Sequence, residues 1–352
     1  MPRPLLPDLP RCPKHASSKV TRRGTYTAHR RPMYRCEPRR PGKEHSFTTP
    51  AVGVRRGFRY PTKEIAHALW LLGRGTSFWQ AGAEARERTG REKSEDTNLT
   101  VHWLERFSAP IFEELRPRPT QLHTVLIDAV PFNVAALDRA GYPKPGGEMR
   151  FTVMGAASQE RVGGPLQVLL LQAAWRKGAH DWRSFLAQIE GDADRIVCDG
   201  EQALLQSAKA RWPGATVAVS VWHVRKRAED ILIKHELHSR KQPYWRALRE
   251  STKTAAAWRR FVTLARPLRI PELERWIIET EAVLGPQLAR HERFTSTGAI
   301  ESVLREVKKH LTLQRGSYKR VERLSLLLNL HTLKRNRRDK ESEYERIIAG
   351  AL

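Results

Sequence analysis

Residues 125–130 read Val125-Leu126-Ile127-Asp128-Ala129-Val130, an apolar run interrupted by one carboxylate. The run from Thr124 to Val130 is too short for a buried helix, and it follows a proline cluster between Arg116 and Thr120. It therefore predicts a buried strand entered from a linker. A carboxylate buried there without a partner costs several kcal/mol, so Asp128 calls for one. A second apolar run, Ile196-Val197-Cys198-Asp199, ends on an acid just before Gly200 and a helical stretch. Open α/β sheets place functional groups at such strand ends; the alternative for Asp199 is a helix N-cap. Further strands are predicted over Met149–Ala156, Leu166–Ala173, Arg195–Cys198 and Thr216–Val221, and helices over Asp181–Gln188 and Glu201–Trp212. The order βββαβαβ describes an α/β domain.

Beyond it the strand signal stops. Residues 224–290 are charged and helical in pattern, with Trp245, Trp258 and Trp276 spaced along them, and read as an all-helical insertion. A helix over Ala299–His310 carries the stripe Ile300, Val303, Leu304, Val307 and Leu311, and another is predicted over Val321–Arg335. Glu301 borders the first of these stripes, where it either faces the sheet or merely answers the helix dipole. Upstream, Ile65, Ala68, Leu69 and Leu72 fall at i, i+3, i+4 and i+7 and stop at Gly73 and Gly75. A second helical stretch starts near Trp79, and a third has Val101, Leu104 and Phe107 on one face. Three short helices with glycine turns suggest a helix-turn-helix.

The chain has 352 residues, 63 Lys and Arg against 38 Asp and Glu, and a formal net charge of +25. Such an excess implies a polyanionic partner. It is concentrated at the ends: residues 1–60 hold 15 basic and 3 acidic side chains, and residues 302–340 hold 12 and 3. Neither end shows a basic amphipathic helix with large exposed apolar residues, which favours nucleic acid over a membrane surface. No apolar run of membrane-spanning length occurs and Met1–Arg11 lacks a signal-peptide core, so a cytoplasmic protein is expected. Three widely spaced cysteines, Cys12, Cys36 and Cys198, exclude a disulfide framework.

Residues 1–60 are too polar to build a core alone. Cys12, His15, Cys36 and His45 offer four ligands for a tetrahedral Zn²⁺ that would supply the missing stability, with His29 competing for the fourth place. The alternative is a basic arm with incidental Cys and His. Arg22, Arg23, Arg30 and Arg31 here, Arg86, Arg88, Arg91 and Lys93 in the helical region, and Lys308, Lys309, Arg315 and Lys319 near the end are candidate DNA contacts. Asp128, Asp199 and Glu301, if they converge, could hold two Mg²⁺, hard cations that take oxygen ligands, for attack on a phosphodiester.

From about residue 120 to 336 the sequence resembles bacterial insertion-sequence transposases related to the Mutator-like elements, which carry a DDE triad on a ribonuclease H-like fold. The resemblance lies in Val125-Leu126-Ile127-Asp128, in Asp199-Gly200 with the later Trp212-Pro213-Gly214-Ala215, and in Thr297-Gly298-Ala299-Ile300-Glu301-Ser302. The acids are 71 and 102 residues apart. Gly298 stands where the family usually has asparagine. Ser220-Val221-Trp222-His223 matches the family's Cys or Asp and His pattern at His223 but not at Ser220. Cys12-Pro13-Lys14-His15, Tyr34-Arg35-Cys36 and Phe47 resemble transposase zinc ribbons, with histidines in place of two cysteines.

The resemblance implies an α/β ribonuclease H-like core with an all-α insertion, preceded by a zinc-ribbon-like segment and a helix-turn-helix domain. The corresponding boundaries are 1–56, 57–118, 119–223, 224–292 and 293–340, with a tail at 341–352. It further implies Asp128, Asp199 and Glu301 as ligands of two Mg²⁺ or Mn²⁺, and His223 as an organiser of the site or a contact to the scissile phosphate. The partners implied are double-stranded DNA, as terminal inverted repeats and target, and a second copy of the chain, and the location implied is bacterial and nucleoid-associated. Two other readings stay open: a DNA-binding regulator that does not cut, and a structure-selective nuclease that cuts without joining.

Overall fold

A computed structural model describes residues 19–26, 31–37, 45–48, 60–90, 99–137, 143–161, 164–237, 239, 241–289, 296–313 and 320–352. They divide into two compact units, the first reaching Ile111 and including Asp339–Leu352, the second running from Phe112 to Arg338.

The first unit contains an antiparallel sheet of β1 (Lys19–Tyr26), β2 (Arg31–Glu37) and β3 (His45–Thr48) in that order. Val20 and Cys36 are its buried centre, with Tyr34 packed beside them. Four helices follow: α1 (Thr62–Gly73), α2 (Phe78–Arg88), α3 (Leu99–Leu115, whose end enters the second unit) and α12 (Glu341–Ala351). The α1 stripe Ile65, Ala68, Leu69 and Leu72 is fully buried. Ser77 starts α2 with a capping box to Gln80, satisfying backbone groups at its first turn. Thr100 donates to Phe78 O at 3.0 Å, fastening α3 to α2. The segment 341–352, expected as a tail, is helix α12. Tyr344, Ile347 and Ile348 form a buried i, i+3, i+4 stripe among acidic residues that hide it in composition.

The second unit is built on a five-stranded sheet of β4 (Gln121–Leu137), β5 (Pro143–Gln159), β6 (Leu166–Ala174), β7 (Asp192–Cys198) and β8 (Thr216–Val219), in the order β6-β5-β4-β7-β8. β4, β5 and β6 pair antiparallel, and β7 and β8 run parallel to β4. β4 and β5 are longer than the sequence predicts, because their hairpin projects past the end of β7. Helices α4 (Ala179–Leu186) and α5 (Gln202–Arg211) make the parallel crossovers. Gly191, φ +93°, precedes β7 where a side chain would meet Pro119 O at 2.4 Å, and its carbonyl accepts Trp212 Nε1 at 3.0 Å.

After β8 come α6 (Val221–Lys234), α7 (Pro243–Glu250), α8 (Ala255–Ala265) and α9 (Pro271–Ala289), then α10 (Gly298–Leu313) and α11 (Val321–Arg335). Each outer strand has a backbone group held by a side chain. Val219 N–H of β8 donates to Gln287 of α9 at 3.1 Å, and Asn336 both accepts from Val168 N–H and donates to Val168 O of β6, at 2.9 and 2.7 Å. Among the described residues no helix is long and apolar enough to cross a membrane.

Candidate active site

Asp128 lies midway along β4, 4% exposed, between fully buried Ile127 and half-open Val130. Its Oδ1 accepts the N–H of Ala129 at 2.7 Å, which meets part of the cost of burying the charge. Across the sheet Asp128 faces Gly155 of β5. A side-chain carbon at Gly155 would stand 3.1 Å from Leu304, 3.2 Å from Ile300 and 3.2 Å from Leu171. The missing carbon is what lets α10 lie close on the sheet, and a glycine inside an apolar strand is the signal of such an approach. Glu301, in the first turn of α10, is thereby carried to Asp128.

On the other side, Ile127 pairs with Cys198 of β7, so the next positions along the two parallel strands are Asp128 and Asp199. Asp199 is partly buried and precedes α5; the N-cap of that helix is Glu201, not Asp199. Ser220 N–H donates to Cys198 O at 2.9 Å, ending the β8 pairing, and α6 begins at the next residue. The strand expected to reach Val221 thus stops at Val219, and His223 stands in the first turn of a helix rather than at a strand end. The β-branched run that suggested strand continues across the boundary.

His223 Nε2 is 3.6 Å from Asp128 Oδ2 and 3.5 Å from Glu301 Oε1. The side chain is half-buried, and its Nε2 is shut off from solvent between the two carboxylates, just beyond ordinary hydrogen-bond distance of either. One ligand atom from each of Asp128, His223 and Glu301 lies within 4.8 Å of the others. Asp199 is not in this group of three, but its charge acts on it. Burial pulls the His223 pKa down, and Asp128, Asp199 and Glu301 together override that and raise it above 6.5. The Cys198 thiol beneath is pushed up by burial and by Asp199 and Asp128, which keeps it protonated and inert.

Two buried hydroxyls hold the arrangement. Thr297, fully buried just before α10, donates to Glu301 Oε1 at 2.6 Å, and its Oγ1 shares a 3.2 Å hydrogen bond with fully buried Ser220. Thr297 and Ser220 thus link the starts of α10 and α6, the helices that carry Glu301 and His223. Sequence reasoning quoted both residues and gave neither a role. The donor set of two carboxylate oxygens and one imidazole nitrogen is of the kind that could hold a first-row divalent cation, and the buried Nε2 facing both acids suits such a role. Mg²⁺, which prefers oxygen, is the poorer match to the histidine.

The other candidate residues fare differently. Cys12, His15, His29, Arg30, Arg91, Lys93, Arg315 and Lys319 lie outside the described residues. Arg22, Arg23 and Arg31 are on β1 and β2, and His45 on β3 pairs in register with buried Cys36. Their own side chains, apart from that of Cys36, are outside the description. Arg88 is 2.8 Å from Glu64 and ties α2 to α1, and Lys308 donates to Pro131 O at 3.3 Å, so both are engaged within the fold. Arg86 stands in the last turn of α2, and Lys309 is exposed on α10.

The insertion tryptophans Trp245, Trp258 and Trp276 are all buried, the last two stacked edge-on at 5.8 Å, so none is available to an unstacked base. Trp222 is 44% exposed and edge-on to His223 at 4.8 Å. No protein-family model matches the chain, and no curated protein matches it in sequence.

Proposed function

We propose that this protein is a transposase of the DDE type, cutting and joining DNA strands by metal-dependent phosphoryl transfer on a ribonuclease H-like core. The observation that carries the reading is the meeting of Asp128 and Glu301 around His223, with Asp199 at the adjoining end of the parallel neighbour strand. The mixed sheet order supports it, with the first acid on the central strand and the third on a helix laid over that strand. The concentration of positive charge in the first 60 residues suits a polyanionic substrate.

Asp128, Glu301 and His223 would hold one divalent cation, and Asp199 beside Asp128 would share a second. When bound, the cations supply the positive charge that in-line displacement needs at its attacking and leaving oxygens. The chain's own residues do the rest. Ala129 N–H fixes one oxygen of Asp128, Thr297 fixes one oxygen of Glu301, and Ser220 fixes Thr297. The preformed arrangement spares reorganisation at the moment of reaction. Water attacks the phosphodiester and frees a 3′-OH, which then attacks target DNA, with no covalent protein intermediate.

In this reading the N-terminal segment binds Zn²⁺ through Cys12, His15, Cys36 and His45, the helical region grips the inverted repeats, and two copies of the chain bring two DNA ends together. The test is nicking of supercoiled plasmid by the full-length protein with Mn²⁺. Asp128→Asn is expected to lower the rate by about 100-fold or more while leaving DNA binding unchanged. Unchanged nicking by that variant would overturn the assignment.

A further inference from the structure

On the face of the sheet opposite Asp128 lies a groove of about 390 Å³ lined by Ala129 and Pro131 of β4, Arg150 and Thr152 of β5, and Trp175, Arg176 and Lys177 after β6. It begins one residue beyond Asp128. Side chains alternate along a strand, so Ala129 and Pro131 point to the face of β4 opposite Asp128. Trp175 is 50% exposed and, among the described residues, stacks on no other ring. Arg150 and Arg176 are exposed, and among the described residues neither forms an ion pair. Lys177 is 2.7 Å from Glu201, two residues after Asp199, so the rim of the groove is tied to the segment carrying the second acid.

An exposed indole flanked by uncommitted guanidinium groups suits one chemistry in particular. Every nucleobase has a face that stacks on an aromatic ring, and the cations follow the phosphates between bases. A ligand held both at the acids and in this groove has to turn over the rim of β4. Duplex DNA is stiff over about 50 nm, whereas an unpaired strand bends at each nucleotide. We propose that the Trp175 groove binds single-stranded DNA, with one base on Trp175 and its phosphates on Arg150 and Arg176. This inference rests on the transposase reading and adds to it the path of the strand freed by cleavage. Trp175 acts there as a binding residue and takes no part in the chemistry.

The experiment is fluorescence anisotropy of labelled oligothymidylate and of a labelled blunt duplex with the full-length protein, in EDTA so that no cleavage occurs. Trp175→Ala is expected to weaken oligothymidylate binding about 5- to 100-fold and duplex binding less than about 2-fold. Trp175→Phe should restore most of the loss, because it keeps a stacking face. The double change R150Q and R176Q should flatten the salt dependence by about 0.7 in log–log slope for each phosphate contact removed. Equal oligothymidylate affinity for wild type and Trp175→Ala would overturn the groove and leave the transposase reading standing. Failure of the wild type to bind either DNA would overturn both.

Discussion

At the scale of single residues, the site depends on a relay of hydrogen bonds as much as on its charges. Glu301 could adopt several rotamers from the first turn of α10, and Thr297 selects the one that faces His223. Thr297→Val keeps the shape and removes the donor, so isothermal titration of Mn²⁺ should show about 10- to 100-fold weaker binding, with Thr297→Ser restoring it. Unchanged Mn²⁺ affinity in Thr297→Val would mean that Glu301 is not a ligand in this rotamer. Asp128 was legible in the sequence because a carboxylate in an apolar strand stands out against its neighbours. Thr297 and Ser220 were not, since a hydroxyl is at home in a core, a cap or a loop alike. Trp222 shows the same ambiguity: its type suggests burial, while its place in the first turn of α6 turns it outward at 44% exposure.

At the scale of elements, Gly155 decides how closely α10 and the sheet can meet. Adding a side chain forces it against Ile300, Leu304 and Leu171, all at 3.1–3.2 Å from the first carbon. Gly155→Val is expected to lower stability by about 1–3 kcal/mol in urea unfolding. Gly155→Ala should do so by less, because two of the neighbours are flexible leucines. Both variants should also bind Mn²⁺ more weakly, because lifting α10 separates Glu301 from Asp128. A stable Gly155→Val protein with wild-type Mn²⁺ affinity would show that α10 has slack at this point. The apolar runs around Asp128 and before Asp199 marked β4 and β7, and the five-residue stripe marked α10, because each pattern is a direct record of burial. The full reach of the β4–β5 hairpin was not readable, since Pro143, Pro145, Gly146 and Gly147 resemble a turn in sequence while lying in a strand.

At the scale of the whole molecule, helix α12 near the end of the described chain meets α1 and α2 in the first unit through His67. Its Nε2 is 2.6 Å from Glu84 of α2 and its Nδ1 is 2.9 Å from Glu341 of α12, while Arg74 is 2.8 Å from Asp339. Burial lowers the His67 pKa, but the two carboxylates outweigh it and raise it above 6.5. A raised folded-state pKa adds stability that is complete below 6.5 and is lost as pH climbs through the folded value. The urea midpoint should therefore fall with rising pH from about 6.5 upward in the wild type, and His67→Gln should make that slope shallower, leaving the part that His223 contributes. An identical slope in both proteins would show that the pair of carboxylates does not hold the charged imidazole. No local pattern in the sequence announces this contact, because its partners lie 17 and 274 positions away. A similar spread marks the candidate active site, whose members arrive on β4, α6 and α10. During synthesis at about 5–20 residues per second, the ribosome releases Asp128 on the order of ten seconds or more before Glu301. Under the proposed function, a nascent chain would complete its five-stranded sheet while still lacking Glu301, and the ability to cut DNA would arise only once α10 is made.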